Sequence, residues 1–172
     1  MRILGIDPGL VTTGYGVIET SDREIELLEG GTVTTGSAED PLEARLARLY
    51  DGIAEVLNEF HPEALALEEL YSHYEHPPTA ILMGHARGVI CLAAAKSNTP
   101  VFSYPATQIK LALTGNGRAP KETVQRAIQA RLKLKQVPDP HDVADALAVA
   151  ICHYSVVSSH IFAAAKSQTA KR

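Results

Sequence analysis

The chain has 172 residues, 45% of them hydrophobic, and a formal net charge of −4. That length gives one well-buried domain rather than two, and no run of about 18 apolar residues offers a transmembrane helix. The start enters a strand without a signal-peptide pattern, and Cys91 and Cys152 read as buried thiols without zinc-site spacing, so the expectation is a cytoplasmic protein free of the membrane.

The first predicted element is a strand over residues 2–7. Ile3 to Ile6 are apolar throughout, Asp7 ends the run, and Pro8-Gly9 forces a turn. Asp7 therefore stands at the C-terminal end of a buried strand, where open α/β sheets carry their ligand chemistry. It has two readings at this point, a cap on the Pro-Gly turn or a functional carboxylate. Gly9 reads as a place where the backbone stays small so that a ligand can approach. Strands follow at about 12–19 and 24–35, the last bent at Gly30-Gly31, and the short links make the three an antiparallel meander.

Asp40-Pro41-Leu42-Glu43 predicts a helix start, with Asp40 as cap, Pro41 in the first turn and Glu43 completing a capping box. Leu42, Leu46, Leu49, Ile53, Val56 and Phe60 form its apolar stripe, which stops before Pro62. Ala64 to Leu67 then repeat the opening pattern and run into Glu68. A strand reached through a crossover helix is parallel to the first, so Glu68 shares a sheet edge with Asp7, while Glu69 points the other way. The loop from Tyr71 to Pro78 holds His73 and His76, which suit either a metal or plain polar surface.

Residues 79–97 predict a helix apolar nearly all round, with Gly84 and Gly88 four apart. It is either deeply buried or shared between the sheet and its copy in a two-fold dimer. Val101 to Tyr104 is the last strand, followed by a short helix over 106–113, the turn Gly115 to Pro120, and a helix opened by Lys121 and broken at Val137-Pro-Asp-Pro140. Charge is uneven along the chain. Residues 1–100 hold 6 Lys+Arg and 16 Asp+Glu, whereas residues 101–172 hold 10 and 4. Lys110, Arg118, Lys121, Arg126, Arg131, Lys133 and Lys135 face only Glu122 between 101 and 137, a pattern that fits a solvated helix face or a surface for a polyanion. The final helix opens at His141. Asp142 and Asp145 share one face of its first turn, as helix-dipole partners or as ligands. From residue 158 the small, polar and basic composition predicts a flexible tail, leaving 1–157 as the domain.

Two strand ends and one helix turn thus bring Asp7, Glu68, Asp142 and Asp145 into reach of one another. Four carboxylates in one cleft raise each other's pKa unless divalent cations are present, and an all-oxygen set suits Mg²⁺ or Mn²⁺. Two such ions clamp a scissile phosphate, and Lys110, Arg118 and Lys121 hold the polyanion that carries it.

Six stretches also resemble one family. They are Gly5-Ile-Asp-Pro-Gly9, Gly14-Tyr-Gly16, Ala66-Leu-Glu68, Gly84-His-Ala-Arg-Gly88, Gln108-Ile-Lys110 and Asp142-Val-Ala-Asp-Ala-Leu147. In this order the chain resembles the RuvC family of bacterial Holliday junction resolvases, within the ribonuclease H-like superfamily. The resemblance implies an α/β ribonuclease H-like fold, with a mixed five-stranded sheet of three antiparallel strands and then two parallel ones, flanked by helices. It implies a homodimer that makes paired nicks in a four-way DNA junction with two Mg²⁺ or Mn²⁺ ions per site. The products would be 5′-phosphate and 3′-hydroxyl ends, and the partner the RuvA–RuvB branch-migration complex. Asp7, Glu68, Asp142 and Asp145 match the catalytic, metal-holding carboxylates. Lys110 and Lys121 match positions for DNA contact or transition-state charge, Tyr71 stands where an aromatic stacks near the junction centre, and His141 is open as an auxiliary to Asp142. An actin-like ATPase would need two such domains, and a non-catalytic junction binder would be expected to lack one of the four carboxylates.

Overall fold

The computed structural model describes residues 1–21, 24–69 and 77–169, with side chains throughout except at 77, 78 and 160–169. In chain order the elements are β1 (Arg2–Asp7), β2 (Thr12–Ser21), β3 (Glu24–Thr34), α1 (Leu42–Phe60), β4 (Ala64–Glu68), α2 (Pro77–Lys96), β5 (Val101–Tyr104), α3 (Ala106–Thr114), α4 (Lys121–Arg131) and α5 (His141–Thr169). The five strands form one sheet in the order β3-β2-β1-β4-β5. The first three pair antiparallel, while β4 runs parallel to β1 and β5 parallel to β4, which is the expected mixed sheet.

Each face of the sheet is covered by a different set of helices, and the strand alternation dictates which residues go where. Leu4, Ile6, Leu65 and Leu67 point to the face of α1 and α2, where they meet Leu49, Ile53, Ala86 and Ile90. Ile3, Ala66 and Tyr104 point to the opposite face and join Ile109, Ile128, Ala144, Leu147 and Ile151 of α3, α4 and α5. Gly5 and Gly16, paired across β1 and β2, let α5 lie directly on the strands. A Cβ on Gly5 would stand 2.1 Å from the Ala146 carbonyl oxygen, and one on Gly16 would stand 2.5 Å from Leu147 Cδ2. Further along α5, His153 is buried and its Nδ1 meets the Tyr104 hydroxyl at 2.6 Å, tying β5 to the helix.

Several local expectations change. The α1 cap is Pro41 and not Asp40, with no side-chain cap bond. Asp40 is drawn instead to Arg48, whose Nη1 donates to its Oδ2 at 2.7 Å and to the Thr35 carbonyl at 2.7 Å. That bond holds the Asp40 carboxyl below the usual range. The irregularity in β3 falls at Leu28, beside and not at the glycine pair, because Val17 pairs with Glu29 and Ile18 with Leu27. Helix α4 ends at Arg131, well before Val137-Pro138, as Lys133 takes a left-handed φ of 53°. Arg131 and Lys133 leave the basic face for internal ties: Arg131 donates to the Ala112 carbonyl and Ser155 Oγ, and Lys133 pairs with Glu24 at 3.1 Å. Backbone helix also continues through 158–169, most of the segment expected as a tail, where the Ala163-Ala-Ala run suits helix.

Candidate active site

The site forms at the C-terminal ends of β1 and β4. On β1, Ile3, Gly5 and Asp7 alternate onto the α5 face, and on β4 Ala64, Ala66 and Glu68 do the same. The register Ile6↔Leu67 makes Asp7 and Glu68 neighbours across the two parallel strands. Glu69 is exposed, and its amide donates to the Tyr104 carbonyl at 2.9 Å, in keeping with its expected turn away from the site.

The N-terminus of α5 is brought over this edge by a third glycine. Gly14 pairs with Asp7, and a Cβ there would stand 2.1 Å from the Asp142 carbonyl oxygen. No side chain therefore separates β2 from the first turn of α5, and Asp142 and Asp145 are held above the strand ends. Glu68, Asp145, Lys110 and Lys121 line one cleft of about 240 Å³, with Ala106, Ile109, Val124 and Ala148 as its apolar wall.

Asp7 and Glu68 are both raised in pKa at this site. Burial, then the charges of Glu68, Asp145 and Asp142, push the Asp7 carboxyl up to about 7, against the pull of Lys121. Burial and Asp145 raise Glu68 as well, opposed by Lys110. Lys121 donates to Asp145 Oδ2 at 2.9 Å, and this hydrogen bond raises its ammonium pKa. Among the described residues no three His, Cys, Asp or Glu side chains are close enough to hold a metal ion as they stand. The donor set itself, hard oxygens short of positive charge, fits Mg²⁺ or Mn²⁺.

The two readings of Asp7 separate here. The amide of Gly9 donates to Thr13 Oγ1 at 3.1 Å, and that hydroxyl donates to the Gly9 carbonyl at 2.6 Å, so Thr13 caps the turn. Gly9 is small for the same turn, since a Cβ on it would stand 1.9 Å from the Thr12 carbonyl oxygen, and not for an approaching ligand. Sequence reading also missed Arg45. This buried side chain donates from Nε and Nη2 to the Leu10 carbonyl at 3.2 and 2.7 Å and braces the loop just past Asp7. A charge within the apolar stripe of α1 was its only signal.

Of the other expected site residues, Lys110 and Lys121 enter the cleft. Arg118 lines a neighbouring groove with Thr107, Gln108, Leu111, Asn116 and Gly117. His141 is exposed and its Nδ1 meets Gln125 Nε2 at 2.9 Å, toward α4, and it does not line the cleft. Tyr71, His73 and His76 lie outside the described residues.

The raised Asp7 pKa has a measurable consequence. Its folded value of about 7 exceeds the ordinary 3.8, so folding takes up a proton between these pH values. The contribution is most favourable below about pH 4 and is lost as pH rises through 7. Buried His153 works oppositely, because burial lowers its pKa and its share is lost as pH falls. The difference in melting temperature between Asp7→Asn and the parent, in EDTA, isolates Asp7: the variant should gain on the parent from pH 5 to pH 8. A difference independent of pH would contradict the assignment.

Comparison with known proteins agrees with this geometry. The family model "Crossover junction endodeoxyribonuclease RuvC" matches residues 3–153. The chain is 51% identical over 153 residues to a protein of that name from Rhodopirellula baltica, covering 88% of this chain and 85% of the relative. It is 48% identical over 155 residues to one from Moorella thermoacetica, covering 90% and 92%. Among solved structures, Thermus thermophilus RuvC superposes with a TM-score of 0.87 at 37% identity, covering 93% of this chain and 97% of that one. The same protein in complex with Holliday junction substrate gives 0.85 at 35% identity, covering 92% and 96%. The yeast mitochondrial Holliday junction resolvase Ydc2, 15% identical, shares the fold with a TM-score of 0.64 over 92% of this chain and 80% of that one. The chain belongs to the RuvC family of crossover junction endodeoxyribonucleases.

Proposed function

We propose that this protein resolves four-way DNA junctions by metal-dependent phosphodiester hydrolysis, with Asp7, Glu68, Asp142 and Asp145 as the metal-holding residues. The observation that carries the reading is the meeting of Asp7 and Glu68, adjacent on β1 and β4, with the first turn of α5 that bears Asp142 and Asp145, beside a cleft lined by Glu68, Asp145, Lys110 and Lys121. When bound, two Mg²⁺ or Mn²⁺ ions would polarise the phosphate and make the attacking water more acidic. The chain's own residues do the rest. Asp7 and Glu68, on adjacent strands, and Asp142 and Asp145, on one helix turn, hold the cations from two sides. Lys110 and Lys121, which line the same cleft, would meet the phosphate charge. Arg118, in the groove alongside, would contact the DNA backbone, and Tyr71 would stack on a base near the junction centre. Hydrolysis leaves 5′-phosphate and 3′-hydroxyl ends, from the nuclease domain 1–157. His141, tied to Gln125, assists only through the placement of Asp142 beside it.

Paired symmetric nicks need two sites, and α2 supplies the means. Ile81 is 63% and Leu92 52% exposed, and a Cβ on Gly84 or Gly88 would meet nothing within 4 Å. This open apolar stripe with a glycine floor suits a second copy of the chain, giving a homodimer. Sedimentation should find a dimer at micromolar concentration, and Gly88→Arg should yield monomers. A monomeric parent would remove this face from the model. Cooperation with RuvA–RuvB follows from the family resemblance. Among the described residues no helix is long and apolar enough to cross a membrane, and action on DNA junctions would suit a cytoplasmic protein.

The direct experiment uses the purified protein and a synthetic four-way junction with Mg²⁺ or Mn²⁺. Paired nicks should appear on the junction and not on linear duplex of the same sequence. Binding without cutting under either metal would refute the nuclease reading.

A further inference from the structure

Arg87 belongs to the Gly84-His-Ala-Arg-Gly88 stretch, yet it neither lines the carboxylate cleft nor joins the apolar face of α2. Its guanidinium reaches the sheet from the side opposite α5. Nη1 donates to the backbone carbonyl of Glu68, and Nη2 donates to Ser103 Oγ on β5. One planar group thus ties the last residue of β4 to the adjacent strand, with the two-pronged geometry that arginine provides and lysine does not.

We propose that Arg87 is a positioning residue for the Glu68 carboxylate, fixing from behind the strand end that presents this acid to the cleft. The assignment deepens the proposed nuclease function and rests on it. Glu68 is the terminal residue of a five-residue strand, so little of the sheet lies beyond it to hold its backbone. The ladder itself extends only to the Glu69 amide on Tyr104. With its carbonyl held, the backbone of Glu68 is fixed, and the strand alternation then directs the side chain to the α5 face beside Asp7. A residue that orients a metal-holding carboxylate through its backbone acts as outer-shell partners do, and loss of such partners lowers metal affinity by about 10–100-fold.

The test compares the full-length parent with Arg87→Ala, Arg87→Lys and Ser103→Ala. Each is measured for melting temperature, metal-free affinity for a four-way junction, Mn²⁺ affinity by calorimetry without DNA, and cleavage rate. Arg87→Ala should stay folded, bind the junction like the parent, and bind Mn²⁺ about 10-fold or more weakly, with cleavage partly restored by excess Mn²⁺. Arg87→Lys, which cannot make both bonds, and Ser103→Ala, which removes one anchor, should fall between. Unchanged Mn²⁺ affinity in Arg87→Ala overturns the assignment, and lost junction binding with parental Mn²⁺ affinity makes Arg87 a DNA contact instead. If Arg87→Ala does not fold, the lysine and Ser103 variants decide, and parental Mn²⁺ affinity in both overturns it. A parent that neither takes Mn²⁺ nor cuts brings down the nuclease function together with this role, whereas an active parent with an indifferent Arg87→Ala brings down this role alone.

Discussion

Asp7→Asn should abolish cleavage of a four-way junction, by roughly a thousand-fold or more, while leaving junction affinity near that of the parent. The substitution keeps the size of the side chain but removes its charge and turns one acceptor oxygen into an NH2 donor. If Asp7 served the turn, little would change, and in any case Thr13 already occupies the Gly9 amide. If it holds cations between Glu68 and the α5 acids, the change removes the most buried anionic donor of the set. The same variant should be more stable than the metal-free parent at pH 8, because a repelled, desolvated charge has gone. Loss of catalysis together with a gain in melting temperature has no account in terms of damaged folding. Near-parental cleavage by Asp7→Asn would end the case for Asp7 as a ligand.

Gly14→Ala should lower both stability and activity. Its Cβ would stand 2.1 Å from Asp142 O and 2.4 Å from Asp142 C, and backbone cannot rotate out of the way as a side chain can. Either β2 bends or the first turn of α5 rises, taking Asp142 and Asp145 with it. Overpacking of this kind costs about 3 kcal/mol, or roughly 6–12 °C in melting temperature for a chain of this length. A displacement near 1 Å at the acids costs about 100-fold in rate. Thermal unfolding and single-turnover cleavage report the two losses separately. A variant with parental values for both would mean that α5 is not seated on β2 as described.

The four acids were legible in the sequence because each belongs to a local pattern. Asp7 and Glu68 close similar apolar runs, and Asp142 and Asp145 are spaced for one helix face. The antiparallel and parallel halves of the sheet were legible for the same reason, through link lengths. What stayed hidden depends on partners far away in the chain. Gly14 reads as a flexible strand residue until α5 is laid across it. Arg45 and Arg87 look like helix-surface charges until their carbonyl partners at Leu10 and Glu68 come into place. Asp40 followed the local capping rule only until Arg48 offered a stronger bond. The basic run between 101 and 137 had two readings, a solvated face or a polyanion surface, and composition does not say which cations pair within the chain, as exposed Arg131 and Lys133 do.

The seam of Gly5, Gly14 and Gly16 beneath α5 also limits how this chain can drift. A large core residue such as Leu147 can be trimmed or reshaped, and neighbours can relax toward the space. A glycine under a helix backbone has no smaller neighbour in the genetic code, so every missense change there adds bulk where none fits. Random substitution can therefore move along this seam in no tolerated direction. Variation must accumulate elsewhere, on the strands' outer ends, on α4 and along the surface of α1, while the helix that carries half of the acids stays seated at a fixed height.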